Sequence, residues 1–304
     1  MVKDLSMVGE RLAIVIPAYK ITYLRETLQS LLDQTCQAFR IYICDDGSPH
    51  DLKSVVSMFE SKLNLVYKRF DTNLGGDDLV SHWERCIDMV EQEEWIWFFS
   101  DDDTMDSECV ERFYNHLPEY EKIDLIHFNV RKIDAQSQFV EMAAFPDFPL
   151  HYRVEDFCRD RLLVNQQSYV VEFIFRKSKF FEVGRFQKFD LAWGTDVATC
   201  IKLGFPNGIA TIPSAKVYWR VSDQNISPNN SPEMVGRKLT AVVDFFDWLN
   251  AFANEHRINF EVSPIKIYLR RWLSFRGRRG LTLTLRDLFH LVSLSGNEKG
   301  FENE

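Results

Sequence analysis

The sequence predicts an α/β fold: a mostly parallel sheet flanked by helices, with a helical C-terminal extension. Three observations predict it. Short continuous apolar runs alternate with segments of helical periodicity through the first 130 residues. The polar clusters "PAYK", "DDGS" and "SDDD" each close an apolar run. A polar stretch rich in Asn, Ser and Pro, "NISPNNSPE" (225–233), then precedes a region where apolar residues recur at helical spacing.

Taken in order, "RLAIVIP" (11–17) is a continuous apolar run of the kind a buried parallel strand needs. "YLRETLQSLLDQT" (23–35) sets Leu24, Leu28, Leu31 and Leu32 on one helical face. "FRIYICDDGS" (39–48) is a second strand running into acids and Gly, "HDLKSVVSMFESKL" (50–63) a helix and "NLVYKRF" (64–70) a third strand. "DDLVSHWERCIDMVEQ" (77–92) reads as a helix and "EWIWFFS" (94–100) as a fourth strand. This alternation implies parallel strands joined by crossovers, and ligands of such sheets bind beyond the carboxyl ends of the strands. Further on, 107–117 reads as a helix, 123–134 as a strand, 140–152 as a loop, 170–186 as a strand then a short helix, 190–205 as a loop becoming a helix near Asp196, and 208–221 as a strand. Val235, Leu239, Val242, Val243, Phe246, Leu249 and Phe252 mark a helix after the linker. The expected division is a domain over 1–228, with halves at about 11–106 and 107–228, and a helical region over 229–304.

The chain carries a net charge of −9 over 304 residues, unevenly spread. Seven basic residues and one acid between Pro264 and His290 leave the remainder at −15. An acidic body of this kind argues against nucleic acid as its partner, while the basic stretch suits an anionic surface. Six cysteines lie far apart with no CxxC pair, which points to reduced, mostly buried thiols. No signal-peptide pattern and no run of 18 apolar residues is present, so a cytoplasmic protein is expected. The segment 264–294 mixes Arg with Trp272, Leu and Phe, a pattern that fits either peripheral contact with an inner membrane face or a solvated helix packed on its own chain.

Three clusters could carry chemistry. Closely spaced carboxylates at a strand end, Asp101, Asp102 and Asp103, suit Mg²⁺ or Mn²⁺, which are held by one or two carboxylates with phosphate oxygens and water; they equally suit the cap of a following helix. A phosphatase DxDx[TV] pattern does not fit, since Met105 stands where Thr or Val is needed. In "CDDGS" a carboxylate could accept the N3–H of uracil or thymine, or the N1–H and N2–H of guanine, and Asp-Gly-Ser-Pro is also strong turn chemistry. Tyr19 follows the first strand, where its ring could stack on a base or join the core. No Walker A loop or GxGxxG is present.

In order and spacing these segments resemble the family 2 glycosyltransferases of the GT-A fold. The resemblance is carried by "IVIPAYK" (14–20), "ICDDGSPHD" (43–51), "NLGG" (73–76), "HWERCI" (82–87), "FFSDDDT" (98–104), "VGRFQKFDLAWGTDVATCIKLG" (183–204) and "VYWRVSDQNIS" (217–227), and covers roughly 11–228. It implies a metal-dependent, inverting transfer of a sugar from a nucleotide diphosphate sugar, of UDP or dTDP type, to an acceptor hydroxyl on a glycan or lipid-linked molecule in cell-surface polysaccharide or glycolipid synthesis.

By the same resemblance, Pro17, Ala18 and Tyr19 would wall the base, Asp46 would accept from it, Gly75 would lie along the donor, and Asp101 would sit near the ribose or share the metal. Asp102, backed by Asp103, would hold Mn²⁺ or Mg²⁺, and Asp196 would be the general base. The chain departs from the family pattern at four places: Lys20 for Asn, Ser100 for an acid, Thr195 for Glu, and Ser222 where many members have His. The last two keep open a second reading, a nucleotide-sugar-binding protein without transfer activity. A sugar-nucleotide pyrophosphorylase lacks support, because its Gly-rich signature is missing after the first strand.

Overall fold

The run Leu12–Ala18 forms β1, and both of its alternating residue sets are buried: Leu12, Ile14 and Ile16 on one face, Ala13 and Val15 on the other. Burial on both faces is what a strand inside a helix-covered sheet requires. The structure is a computed structural model that describes residues 11–140, 146–164, 166–221, 231–276, 287 and 289–295. It divides into two compact units: Met1–Tyr152, Ser168–Arg185 and Leu203–Ser222 in the first, and Arg153–Gln167, Phe186–Lys202 and Asp223–Glu304 in the second.

In the first unit β1 pairs in parallel with β2 (Phe39–Asp45) along its whole length, from Leu12 opposite Phe39 to Ala18 opposite Asp45. On its other side it pairs in parallel with the strand Trp95–Phe98. A third parallel strand, Leu65–Arg69 (β3), lies outside β2, and Trp95–Phe98 is β4. The carboxyl ends of β1, β2 and β4 therefore lie at one edge of the sheet. Beyond β4 the described sheet continues through short or longer strands named in chain order: β5 (Thr104–Met105), β6 (Leu125–Ile133), β7 (His151–Tyr152), β8 (Phe173–Arg176) and β9 (Ile209–Arg220). Among the described residues the order is β3-β2-β1-β4-β8-β6-β9-β5, with β7 beside β9. β8 is antiparallel to both β4 and β6, and β6 returns to a parallel partner in β9.

Four helices of this unit match segments read from periodicity. They are α1 (Leu24–Leu32), α2 (Leu52–Ser57), α3 (Leu79–Ile87) and α4 (Cys109–His116). α1 buries Leu24, Leu28 and Leu31 as its spacing predicts, and Thr27 with them. α2 is shorter than the segment 50–63. Its N-terminus is capped by Asp51, which accepts from the Ser54 N–H at 3.1 Å. After Ser57 the bonds tighten, Met58 N–H to the Val55 carbonyl and Phe59 N–H to the Val56 carbonyl, turning Phe59 and Leu63 into the core.

β5 and β7 escaped the reading because two residues carry no periodicity; pairing with β9 alone makes them strands. All six cysteines are buried and unbridged, as their spacing suggested.

The second unit is helical in its described parts. Val154–Arg159 (α5) buries Val154, Phe157 and Cys158, an i, i+3, i+4 face present in the sequence but not read there. After α6 (Lys177–Glu182) in the first unit, α7 (Thr195–Gly204) starts at the predicted place. α8 (Pro232–His256) is capped by Ser231, has Pro at its first position, and stops at Arg257, whose φ is +56°. It buries the predicted stripe apart from Phe252, which is half-buried and joins Phe245, Trp248 and His256 in an aromatic row.

α9 (Pro264–Arg276) turns Ile267, Tyr268 and Trp272 inward, so Trp272 is unavailable to a membrane-facing surface, while Leu269 and Leu273 are exposed. Tyr268 donates to Asp287 at 3.2 Å and faces His290 Nδ1 at 3.0 Å. Phe289 and Val292 are exposed; 277–286 and 288 of the basic stretch lie outside the described residues. Among the described residues no helix is long and apolar enough to cross a membrane.

Trp97 is the pin that fixes β4 within the first unit. Its ring stacks on Phe128 of β6 at 5.1 Å, meets Phe99 edge-on at 5.9 Å, and its indole N–H donates to the Val171 carbonyl at 2.8 Å. Trp97→Ala should cost about 3–5 kcal/mol in urea unfolding, and Trp97→Phe, which orphans the buried Val171 carbonyl, about 1–3 kcal/mol. A change within error for Trp97→Ala would remove it from this role.

Candidate active site

The register of β1, β2 and β4 places Tyr19, the Asp45–Ser48 turn and the Phe99–Asp103 turn at the same sheet edge. The contacts there are direct. The backbone N–H groups of Tyr19 and Lys20 donate to Asp101 Oδ2 at 2.8 and 2.7 Å. The Ser48 hydroxyl donates to the Tyr19 carbonyl at 2.6 Å. Tyr19 leaves 40% of its surface exposed, so its ring stands open beside the acid turn. Pro17 is half-buried and Ala18 is fully buried.

The three consecutive aspartates are each at most 3% exposed, and each has a different job. Asp101 is tied to the β1–α1 loop as described. Asp102 accepts the Ser100 hydroxyl at 2.6 Å and is ion-paired with the Lys20 ammonium, which also lies 3.3 Å from Asp101 Oδ1. Asp103, expected to back Asp102 as a metal ligand, accepts the Arg220 N–H of β9 on its Oδ1 at 2.7 Å, while its carbonyl accepts the Thr27 hydroxyl of α1 at 2.8 Å. It binds the turn to the rest of the unit.

Arg220, itself fully buried, reinforces this. Its guanidinium donates to the carbonyls of Asp102 and Asp134, to Ser137 and to Glu26, and lies 4.2 Å over the Tyr23 ring. The sequence showed Arg220 as part of "VYWR" but gave no sign of this role.

The electrostatics follow from one ammonium facing three acids. Burial opposes the charge of Lys20, but the fields of Asp101 and Asp102, the hydrogen bond from Asp102 and the field of Asp103 outweigh it, so the amine titrates above the ordinary lysine value. Burial pushes the Asp101 carboxyl up, with Lys20 pulling against it, and burial plus the neighbouring Asp102 pushes Asp103 well up. The turn is short of positive charge.

A second acid pair closes the β2 end. Asp45 accepts the Ser48 N–H at 2.8 Å, the Tyr67 hydroxyl at 2.5 Å and Arg69 at 2.8 Å. Asp46 accepts the N–H groups of Leu74 at 2.9 Å and Gly75 at 2.8 Å and is ion-paired with Arg85. Arg85 also donates to His82 Nδ1 at 3.0 Å and stacks 3.8 Å over Phe70. Burial lowers the His82 imidazole to about 4, which keeps it neutral and able to accept that bond. Asp46 thus holds the "NLGG" loop through most of its lone pairs. Gly47 has a φ of +65° with the Asn73 backbone nitrogen 3.0 Å from where a Cβ would stand, so only Gly fits that turn.

Asp196 belongs to the second unit. It lies in the first turn of α7, half-buried, where a carboxylate is favoured by the helix dipole. Thr195, in the place of an acid, is fully buried: its hydroxyl accepts the Phe189 N–H at 3.2 Å, and its carbonyl accepts the Thr199 hydroxyl at 2.6 Å. Burial lowers the Arg271 guanidinium to about 10, with Arg161 and Arg270 adding to the effect and Asp196 opposing it. Ser222 lies outside the described residues.

Among the described residues no three His, Cys, Asp or Glu side chains converge as a ready-made metal cage. What fits a hard divalent cation is the Asp102 carboxylate, with Asp101 alongside and the rest of the shell left to phosphate oxygens and water, as Mg²⁺ and Mn²⁺ accept. The local excess of negative charge agrees with that fit.

The sequence pattern of "Glycosyl transferase family 2" matches residues 13–177, which is 165 of the 304 residues. Among solved structures, S. aureus TarS 1–349 in complex with UDP-GlcNAc matches at a TM-score of 0.66 and 18% identity, over 96% of this chain and 81% of that one. GalNAc-T7 with UDP, GalNAc and Mn²⁺ matches at 0.55 and 10%, over 78% and 48%. A mannosyltransferase from Pyrobaculum calidifontis with GDP-Man and Mn²⁺ matches at 0.53 and 13%, over 95% and 74%. At these identities the likeness is one of fold. The comparison with curated proteins gave no match.

The Asp46–loop contact sets a steric demand at Gly75, where an added Cβ would stand 2.6 Å from Asp46 Oδ2. Gly75→Ala should destabilise the protein by about 1–3 kcal/mol through overpacking. Gly76→Ala, whose nearest neighbour is the Asn73 side chain at 3.3 Å, should cost less. Denaturant midpoints of the two variants check this; equal losses would refute the assignment of Gly75 as the close-approach position.

Proposed function

The chain belongs to glycosyl transferase family 2, and from that premise we propose that its strand-end crevice binds a nucleoside diphosphate sugar and that the enzyme transfers the sugar to an acceptor hydroxyl with inversion. Its GT-A fold, a largely parallel sheet flanked by helices, puts the polar ends of β1, β2 and β4 at one edge, and that convergence is the observation that carries the reading.

In this reading the exposed Tyr19 ring, with Pro17 and Ala18 preceding it at the strand end, flanks the base, and the remaining lone pair of Asp46 Oδ2 accepts an imide N–H. That favours uridine or thymidine diphosphates, since cytosine has no N3–H. Asp101, held by the Tyr19 and Lys20 amides, fixes the acid turn against the base wall. Gly75 acts indirectly, by letting Asp46 close on the loop. Asp102 is the residue that would hold Mn²⁺ or Mg²⁺, and the ion, when bound, would neutralise charge on the diphosphate. Mn²⁺ in the two neighbours that carry it supports a divalent ion without choosing between the two metals.

Asp196 is the proposed general base. It takes the acceptor hydroxyl proton as that oxygen forms its bond to C1, while the bond from C1 to the phosphate oxygen breaks and the nucleoside diphosphate leaves with the electron pair. A glycan or lipid-linked acceptor in cell-surface polysaccharide or glycolipid synthesis is the class proposed. Exposed Leu269, Leu273, Phe289 and Val292 with Lys266 and Arg270 on the C-terminal helices are the features that favour it. The competing reading, a binding protein without transfer, gains from Thr195, whose buried hydroxyl is engaged within the second unit.

Asp196→Asn separates the two. It should reduce nucleoside diphosphate release by about 10²–10⁴-fold, the usual contribution of a placed base, while the thermal shift given by uridine diphosphate stays the same. Turnover at the parental rate would remove Asp196 from the role, and no turnover by the parent with any donor would favour the binding protein. In a screen of nucleotide sugars with and without Mn²⁺, uridine or thymidine diphosphate sugars should raise Tm, and more so with the metal, as ligands bound to the native state do. A preference for cytidine monophosphate sugars would contradict the Asp46 assignment.

A further inference from the structure

Lys20 is bound to Asp101 through both its backbone and its ammonium, and to Asp102 through its ammonium. Its N–H donates to Asp101 Oδ2 at 2.7 Å, and its ammonium returns to sit against Asp102 and 3.3 Å from Asp101 Oδ1. The ammonium thereby lies where a cation held by these carboxylates would lie, and two positive ions cannot share one carboxylate edge without strong repulsion. The two acids are almost closed to solvent, at 4% and 5% side-chain exposure, whereas the Lys20 side chain keeps 24%. Lys20 is the member of the cluster with room to leave. Its flexible four-carbon stem can carry a point charge to a nearby phosphate.

We propose that Lys20 is a built-in counter-cation of the acid turn. It competes with a divalent metal for Asp102, and the metal gains that carboxylate when an incoming diphosphate draws the ammonium away. Binding of metal and donor is then mutually reinforcing, because each removes what holds the other out. The competition stands on the contacts of Lys20 alone; its coupling to a diphosphate rests on the nucleotide-sugar reading.

The test uses the full chain and Mn²⁺ as the probe, with free Mn²⁺ measured by its paramagnetic resonance signal. Without nucleotide, Lys20→Met and Lys20→Asn should bind Mn²⁺ roughly tenfold or more tightly than the parent, a change of about 1.4 kcal/mol. Lys20→Arg, which keeps the charge, should bind it as weakly as the parent. Circular dichroism and Tm establish that each variant is folded, and the agreement of the Met and Asn variants guards against an effect of one side chain. Equal Mn²⁺ affinity in the parent and both neutral variants overturns the proposal, as does no Mn²⁺ binding by any of them. Adding uridine diphosphate should then tighten Mn²⁺ binding by the parent severalfold and by Lys20→Met much less. If nucleotide binds but changes the parent no more than the variant, the coupling is overturned. Failure of any nucleotide to bind overturns the nucleotide-sugar reading and the coupling with it, while the metal-only comparison still decides whether Lys20 competes.

Discussion

Three carboxylates side by side in a buried turn are the constraint on which the first unit is organised. Taking a charge out of water is costly unless partners replace the lost hydration. Asp101, Asp102 and Asp103 sit at the end of β4, almost without solvent contact. Every segment that converges there contributes a compensating group. The β1–α1 loop supplies two N–H donors and the Lys20 ammonium, α1 supplies the Thr27 hydroxyl, and β9 supplies the Arg220 N–H. The donors come from stretches more than a hundred residues apart, so the turn can exist only when the sheet has been assembled around it. In return, the turn fixes where β1, α1 and β9 meet.

The β2 end follows the same logic with a different solution. Asp45 and Asp46 are also buried, but each has its own guanidinium, Arg69 and Arg85, and each closes a separate loop. There the charge is matched and the hydrogen-bonding capacity nearly filled. At the β4 end a single ammonium faces three acids. The two clusters stand at the same sheet edge and differ in what they have left to offer: the first offers shape and one remaining lone pair, the second unmet negative charge.

Much of this was legible in the chain. The strands β1 to β4 appear as apolar runs, and α1, α3 and α8 as stripes at helical spacing, because burial on one or both faces imposes those patterns wherever the element lies. The polar motifs at the strand ends were visible because apolar runs stop abruptly there. What was not legible had no local cause. β5 and β7 are strands only by virtue of β9. The early end of α2 comes from the need to turn Phe59 and Leu63 inward. Trp272, which in the sequence joins a basic amphipathic stretch, is drawn into the second unit instead.

The sequence by itself determined which chemistry was at hand: an acid triplet and an acid pair at strand ends, an aromatic residue after β1, and a carboxylate near the start of α7. Those identities survive any folding, since composition and spacing along one strand or helix are local properties. Only the tertiary structure decided how the acids divide their work. Asp102 pairs with the Lys20 ammonium, Asp101 accepts the N–H groups of the β1 loop, and Asp103 accepts the Arg220 N–H of β9, because successive side chains leaving a turn point in different directions. It also made a substitution that looked like a simple departure, Lys20, into the cation that the buried acids already hold.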